Sequence, residues 1–292
     1  MDFSPTTDAP FTDRYLLAQD GLRLYARDYQ PPRPTDRAAL LCLPGMTRNA
    51  KDFAHVAAVF AARRRVICPD YRGRGLSAYD ENWRHYEPPV YLNDLLHLLT
   101  MLDIHKVIVI GSSLGGLLAM GLAILRPSLV AGVVLNDIGP EIGAGGLKHV
   151  LDYVARDRPQ PDWAAAAAEM RRSFSYLELG DARNWEHMAR ATYKECPDGL
   201  LRFDWDVRLI RPFRRALRRK QDLWPYFRAL GDIPTLAFRG GKSKVFLPDC
   251  MARMAAEKPD MIAVTVPDVG HTPNLGEPIA VAALNHFIDG LP

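Results

Sequence analysis

The sequence predicts an α/β fold, a doubly wound and mostly parallel sheet flanked by helices. Two observations carry the prediction. Short apolar, β-branched runs alternate with segments of helical periodicity along most of the chain, and strands separated by helices pair in parallel through right-handed crossovers. The run at 106–110, Lys-Val-Ile-Val-Ile, is apolar at every position after the lysine, the pattern of a strand buried on both faces. With 292 residues the chain suits one large domain, or a domain with an insertion, around a substantial core.

Composition narrows the function classes. Hydrophobic residues make up 48% and charged residues 24%, as in an ordinary globular enzyme. A net charge of +3 is too small a bias to argue for nucleic acid as a partner. No stretch reaches the roughly 18 uninterrupted apolar residues of a membrane helix. Residues 1–15 are polar and acidic, so no secretory signal is expected. Four cysteines without regular spacing offer neither a disulfide framework nor a zinc pattern. Cys42 and Cys68, in apolar runs, read as small buried hydrophobes. Together these features predict a cytoplasmic protein whose partner is a small-molecule substrate, with neither nucleic acid nor membrane.

Residues 1–13, rich in Pro, Thr and Asp, form a lead-in. Residues 15–19 and 22–29 flank Asp20-Gly21, a two-residue hairpin signal. A proline-rich turn at 30–37 leads to a strand at 39–43, which runs into Pro44-Gly45-Met46, and to a helix at 52–63. A strand at 65–68 ends at Pro69-Asp70, a polar loop passes Trp83 and Tyr86, and an amphipathic helix covers 91–102. The strand at 106–110 gives way to Gly111-Ser112-Ser113-Leu114-Gly115 and an apolar helix. A strand at 129–135 stops at Asn136-Asp137. Between about 140 and 225 the strand signals vanish. A glycine-rich hinge at 139–146 precedes helices at 163–174, capped by Pro161-Asp162, and at 183–195. In 209–220, Leu209, Phe213 and Leu217 share one helical face and Arg211, Arg215 and Arg218 another. Strands resume at 234–239 and 261–266, and a last helix spans 278–288.

The chemistry centres on Gly111–Gly115, which matches G-x-S-x-G between a strand and a helix. Small residues permit a sharp turn that lifts the Ser113 hydroxyl to the rim of the sheet, at a helix N-terminus where negative charge is favoured. A serine hydroxyl needs an adjacent base to attack a carbonyl. Of eight histidines, His271 alone follows the last strand signal within a Gly-His turn. Leu43-Pro44-Gly45-Met46, Pro69-Asp70-Tyr71-Arg72-Gly73-Arg74-Gly75-Leu76-Ser77 and Val269-Gly270-His271-Thr272-Pro273 complete an ordered set. In these motifs the chain resembles the α/β-hydrolase superfamily, nearly end to end.

The resemblance implies a core in two parts, 1–139 and 226–292, with 140–225 as an inserted helical cap. It implies a triad in the order Ser, acid, His, with Ser113 as nucleophile and His271 as base. Relatives usually carry the acid in a Gly-x-x-Ser-Asp-like turn after the seventh strand. Here that turn reads Arg239-Gly240-Gly241-Lys242-Ser243-Lys244, and a lysine would repel an imidazolium. Asp249 is expected to start the next helix. Asp137, after the sixth strand, is the better candidate, since some members of the superfamily carry the acid there; its structural alternative is bonding to the hinge backbone. Backbone N–H groups of Met46 and Leu114 are the expected oxyanion hole. Asp70 and residues 72–77 read as structural turn chemistry. Trp224, Phe227 and Met170 are candidates to line a pocket between cap and core, or to form the core of the cap. The stretch 208–220, with seven Arg or Lys and no acid, reads as a solvated cap face rather than an anion-steering one. No metal-ligand cluster and no phosphate cradle is visible, so no metal and no cofactor are expected.

The expected activity is that of a cofactor-independent serine hydrolase, cleaving a small carboxylic ester or lactone through an acyl-enzyme. Serine rather than aspartate at 113 argues against haloalkane or epoxide hydrolysis. A carbon–carbon bond hydrolase of aromatic degradation is the neighbouring alternative. Lys244 keeps open a third, a non-catalytic ligand-binding member of the fold.

Overall fold

A computed structural model describes residues 9–143, 151, 153–174, 182–217 and 222–292. Its strands are β1 (Thr12–Leu17), β2 (Arg23–Tyr29), β3 (Ala39–Leu43), β4 (Val66–Asp70), β5 (Val107–Ser112), β6 (Val130–Asn136), β7 (Tyr193–Glu195), β8 (Leu201–Phe203), β9 (Thr235–Gly240) and β10 (Ile262–Val266). Eight of them form one sheet in the order β1-β2-β4-β3-β5-β6-β9-β10. Only the β1–β2 and β2–β4 pairings are antiparallel; from β4 to β10 every neighbour runs parallel.

The period-2 alternation of the strands assigns side chains to two cores. Leu41, Leu43 and Val109 face α2 (Pro88–Met101) and α3 (Leu114–Leu125), where Leu95, Leu98, Leu118 and Leu122 pack. Leu40, Cys42, Ile108 and Ile110 face the other way. They meet Val56 and Phe60 of α1 (Ala54–Phe60), and Leu284 and Phe287 of the C-terminal helix (Pro278–Asp289). Both faces are covered, which is why the central strands carry no polar alternation. Among the described residues no helix is long and apolar enough to cross a membrane.

Several sequence expectations shift at their edges. The first connection is longer than two residues: Ala18 N–H bonds the Leu22 carbonyl (2.8 Å), and Gly21 takes φ 82°. The helix expected from 52 begins as a 3-10 turn, Ala50–Phe53, capped by Asn49. Residues 1–8 of the lead-in, and 144–146 of the hinge at 139–146, lie outside the described residues.

The inserted stretch needs a larger correction, because strands do not vanish from it. Helices α4 (Trp163–Ser173) and α5 (Ala182–Thr192) lead into a hairpin in which β7 and β8 pair antiparallel. Its turn is written in Pro197-Asp198-Gly199. Gly199 adopts φ 77°, which glycine reaches without a Cβ penalty, and the Asp198 carboxylate accepts the Leu200 N–H. The helix expected to run to 195 therefore stops at Thr192. Of the basic stretch, a 3-10 turn (Val207–Leu209) and α6 (Ile210–Leu217) are described, whereas 218–220 lie outside the described residues. Asp162 caps α4 by accepting the Ala165 N–H at 2.8 Å, as Pro161-Asp162 predicts.

Beneath the sheet rim, the 70–77 loop is held by buried polar groups. Asp70 accepts the N–H groups of Ala50 (2.7 Å) and Leu76 (2.8 Å). Arg72, fully buried, forks onto Asp94 and also donates to Asp80 and Asp20. Replacing Asp70 by alanine should destabilise the fold by roughly 2–4 kcal/mol at neutral pH, because the buried Ala50 N–H and the half-buried Leu76 N–H both lose their acceptor. Burial also raises the Asp70 carboxyl to about 6, so the folded state binds its proton more tightly than the unfolded chain. That contribution to stability is complete below about pH 4 and is lost as pH rises through about 6. Urea unfolding of both proteins checks the sign: the gap between them should be widest near pH 4 and narrower at pH 7.

Candidate active site

The turn between β5 and α3 is built by close backbone approach. A Cβ on Gly111 would overlap the Gly115 carbonyl, one on Gly115 the Leu43 carbonyl, and one on Gly116 the Ile138 side chain. Only glycine lets these chains meet, and Ser113 between them is forced to φ 51°, ψ −112°. An L-residue held there is strained, and the surrounding packing must enforce it. The Ser113 N–H bonds the Asn136 carbonyl (3.0 Å), and Leu114 begins α3, so its N–H has no intrahelical partner.

Ser113 lies in a continuous hydrogen-bonded chain. Its Oγ is 3.0 Å from His271 Nε2, and His271 Nδ1 is 2.6 Å from Asp137 Oδ2. A carboxylate can only accept, so Nδ1 carries the proton and Nε2 is left to accept from the serine. Asp137 is fully buried, at the end of β6, with φ 56°. Its carboxylate accepts two further bonds, from Gly240 N–H (2.7 Å) and Ser243 Oγ (2.6 Å). A charge removed from water needs such donors. Asn136 holds the opposite loop, donating from Nδ2 to the Pro273 carbonyl at 2.8 Å and so fixing the segment that carries His271.

Lys244 does not intrude on this chain. It is exposed, and the neighbouring Ser243 is the residue that turns inward to Asp137. Asp249 lies in the first turn of the helix Pro248–Glu257. Sequence reasoning missed Ser243 and the Gly240 N–H as partners of the acid. The signal was present in the Gly-x-x-Ser part of the turn, whose serine keeps its place although the following aspartate is gone.

The turn at 44–46 flanks the serine. A Cβ on Gly45 would sit 3.9 Å from Ser113 Cβ. All three of its carbonyls are occupied: Pro44 by Tyr71 Oη (3.1 Å), Gly45 by Arg48 N–H (3.1 Å) and Met46 by Arg74 Nε (2.6 Å). Arg48 reaches across to the inserted segment, donating to Thr192 Oγ1 at 2.8 Å while Asp52 takes its other face. Burial disfavours the Arg48 charge, but the Asp52 carboxylate more than offsets it and moves the pKa up.

The remaining candidates stand apart from the serine–histidine–aspartate chain. Trp224 and Phe227 are on a short helix (Trp224–Arg228), edge to face with each other, and the Trp224 indole N–H bonds Glu141 at 2.8 Å. Met170 is buried on α4, where the Tyr153 hydroxyl meets its sulfur at 3.7 Å. Three other histidines have partners of their own. His85 bonds Asp80, His97 the Leu17 carbonyl and His105 Asp103, while burial lowers the pKa of His55. Asp20, Asp80 and His85 cluster closely enough to suggest a cation, but the Arg72 guanidinium already bonds both carboxylates.

The sequence profile of the alpha/beta hydrolase family matches residues 40–284. The chain is 31% identical over 268 residues to the 3-hydroxybutyrate-oligomer hydrolase of Cupriavidus necator, a match covering 88% of this chain and 90% of that protein. An alpha/beta hydrolase from Novosphingobium aromaticivorans is similar in structure with a TM-score of 0.90 and 38% identity, over 96% of this chain and 99% of that one. E-2-(acetamidomethylene)succinate hydrolase is similar at a TM-score of 0.82 and 27% identity, over 96% and 100% of the two chains. The profile spans the Ser113 turn, Asp137 and the His271 loop together, and on that match the chain belongs to the alpha/beta hydrolase family.

Proposed function

We propose that this protein is a cofactor-independent serine esterase that cleaves a short ester of a hydroxy acid through an acyl-enzyme. One observation carries the reading: the unbroken chain from Asp137 through His271 to Ser113. A buried carboxylate, an imidazole and a strained serine in one hydrogen-bonded line are what proton transfer from the serine needs, which favours hydrolysis over the ligand-binding reading. The similarity to a 3-hydroxybutyrate-oligomer hydrolase over nearly its whole length favours a short oligoester over a lactone as substrate.

In this reading His271 Nε2 takes the proton as Ser113 Oγ attacks the ester carbonyl. Asp137 steadies the imidazolium and holds the tautomer. The tetrahedral oxyanion forms against the N–H groups of Leu114 and Met46, donors that strengthen as charge develops. His271 then protonates the leaving alkoxide, which departs as alcohol. A water deprotonated by His271 attacks the acyl-enzyme, and collapse of the second tetrahedral intermediate returns the proton to Ser113 and releases the acid. The inserted segment acts as the cap, with Tyr153 tilted against Phe203 and Phe203 stacked on Trp205.

Hydrolysis of 3-hydroxybutyrate dimer and of p-nitrophenyl acetate, with fluorophosphonate labelling read by peptide mass, tests this directly. Ser113→Ala should abolish labelling, and Ser113→Ala and His271→Ala should each cut kcat/KM by at least about 10³, with Asp137→Asn costing about 10³–10⁴. An Asp137→Asn enzyme within threefold of wild type would place the acid elsewhere.

The Ser243 and Lys244 geometry separates two further outcomes. Ser243→Ala removes one bond to Asp137 and should lower kcat about tenfold. Lys244→Asp should change hydrolysis by less than about threefold, because residue 244 points to solvent. A rise of orders of magnitude in Lys244→Asp would mean that the native triad is incomplete.

A further inference from the structure

Arg74 is fully buried, yet among the described residues no carboxylate pairs with it. Its Nε donates to the Met46 carbonyl at 2.6 Å, and its Nη1 to the Arg72 carbonyl (2.8 Å) and the Tyr91 hydroxyl (3.0 Å). The rings of Tyr71 and Tyr91 lie 5.4 and 4.9 Å from the guanidinium carbon. Its Nη2 is buried with no hydrogen-bond acceptor among the described residues. A buried guanidinium cannot shed its proton, so an unpaired one is costly to keep. Tyrosine faces and carbonyl oxygens offset that cost only in part.

We propose that Arg74 is a positioning residue of the oxyanion hole, holding the peptide plane that follows Met46 and so restraining the backbone that presents the Met46 N–H. The inference rests on the hydrolase reading above. In a trans peptide the N–H points opposite the carbonyl. The Gly45 carbonyl is pinned by Arg48 N–H, which fixes the direction of the Met46 N–H; the Met46 carbonyl is pinned by Arg74, which fixes the next plane. With both planes set, the donor cannot turn away as the oxyanion forms, and such preorganisation acts on the transition state rather than on substrate binding. Arg74 also joins this donor to the cap. Its backbone forms an antiparallel bridge with Trp205, while Gly75 N–H bonds the Asp204 carbonyl and Asp206 N–H the Gly73 carbonyl.

The test compares wild type, Arg74→Met and Arg74→Lys on p-nitrophenyl acetate, with a trifluoromethyl ketone as mimic of the tetrahedral anion. Arg74→Met should lose about 10–100-fold in kcat with KM within about threefold, and should weaken ketone binding by the same factor as kcat/KM. Arg74→Lys, which keeps the charge and one donor, should recover to within about fivefold of wild type. Thermal melts report whether each variant is folded, and Arg74→Gln replaces Arg74→Met if the latter does not melt cooperatively. A folded neutral variant with wild-type kcat overturns the inference alone. So does a parallel loss in kcat and KM that lysine does not rescue, since that marks a purely structural role. A wild type that neither hydrolyses nor labels overturns the hydrolase reading and this inference with it.

Discussion

The backbone contact at the β5–α3 turn is the constraint on which the site depends. Leu43 of β3 and the first turn of α3 approach so closely that residue 115 can carry no side chain. That approach brings the end of β3, and with it the 44–46 turn, alongside Ser113. It also places Ser113 in a backbone region that costs of order 1–3 kcal/mol for a residue other than glycine. The strain is sustained by burial around it: Val109, Ile110 and Leu114 are closed off from solvent, and Asn136 takes the Ser113 N–H. Ser113 and the 44–46 turn are thus set by one packing event rather than by two independent loops.

The acid illustrates how a fold can supply one charge from either of two neighbouring strands. β6 and β9 are parallel and adjacent, with Asn136 opposite Phe238, so their carboxyl ends open onto the same space. A carboxylate from either end can reach Nδ1 of a histidine arriving from beyond β10. In this chain it comes from β6, and the β9 turn contributes donors instead, the Gly240 N–H and the Ser243 hydroxyl. The electrostatic requirement is a negative charge that orients Nδ1–H and is itself held by hydrogen bonds. Which strand provides it is secondary.

Most of the fold was legible because the strands are buried on both faces and read as apolar runs at 39–43, 107–110 and 130–135. The site was legible where one residue type is sterically demanded, as with the glycines around Ser113. It was less legible where a role depends on contacts distant in sequence. The Gly-x-x-Ser turn marks Ser243 but does not say that it faces Asp137, 106 positions away, and nothing local to Arg74 says that its side chain reaches Met46. The β7–β8 hairpin was missed for a different reason. Its strands are three residues long, too short for period-2 alternation to emerge, and only Pro197-Asp198-Gly199 marks it.

The inserted segment is attached to the core by different means along its length. Residues 204–208 are bound to the core by buried polar groups. Asp204 accepts from Asn49 and Lys51, Asp206 from Tyr86, and Arg208 donates to the Asp80 carbonyl. Lifting this part would strip partners from two carboxylates that are about 5% exposed, a penalty of several kcal/mol. The α4–α5 pair is held differently. Among the described residues, α5 bonds the core through Arg48 on Thr192 and Lys51 on the Arg190 carbonyl, and its Trp185 and Ala189 are buried in the apolar cluster that packs on the α2–α3 face of the sheet. The polar attachment backs the Arg74–Met46 bond, since Arg74 forms its backbone bridge with Trp205, between Asp204 and Asp206.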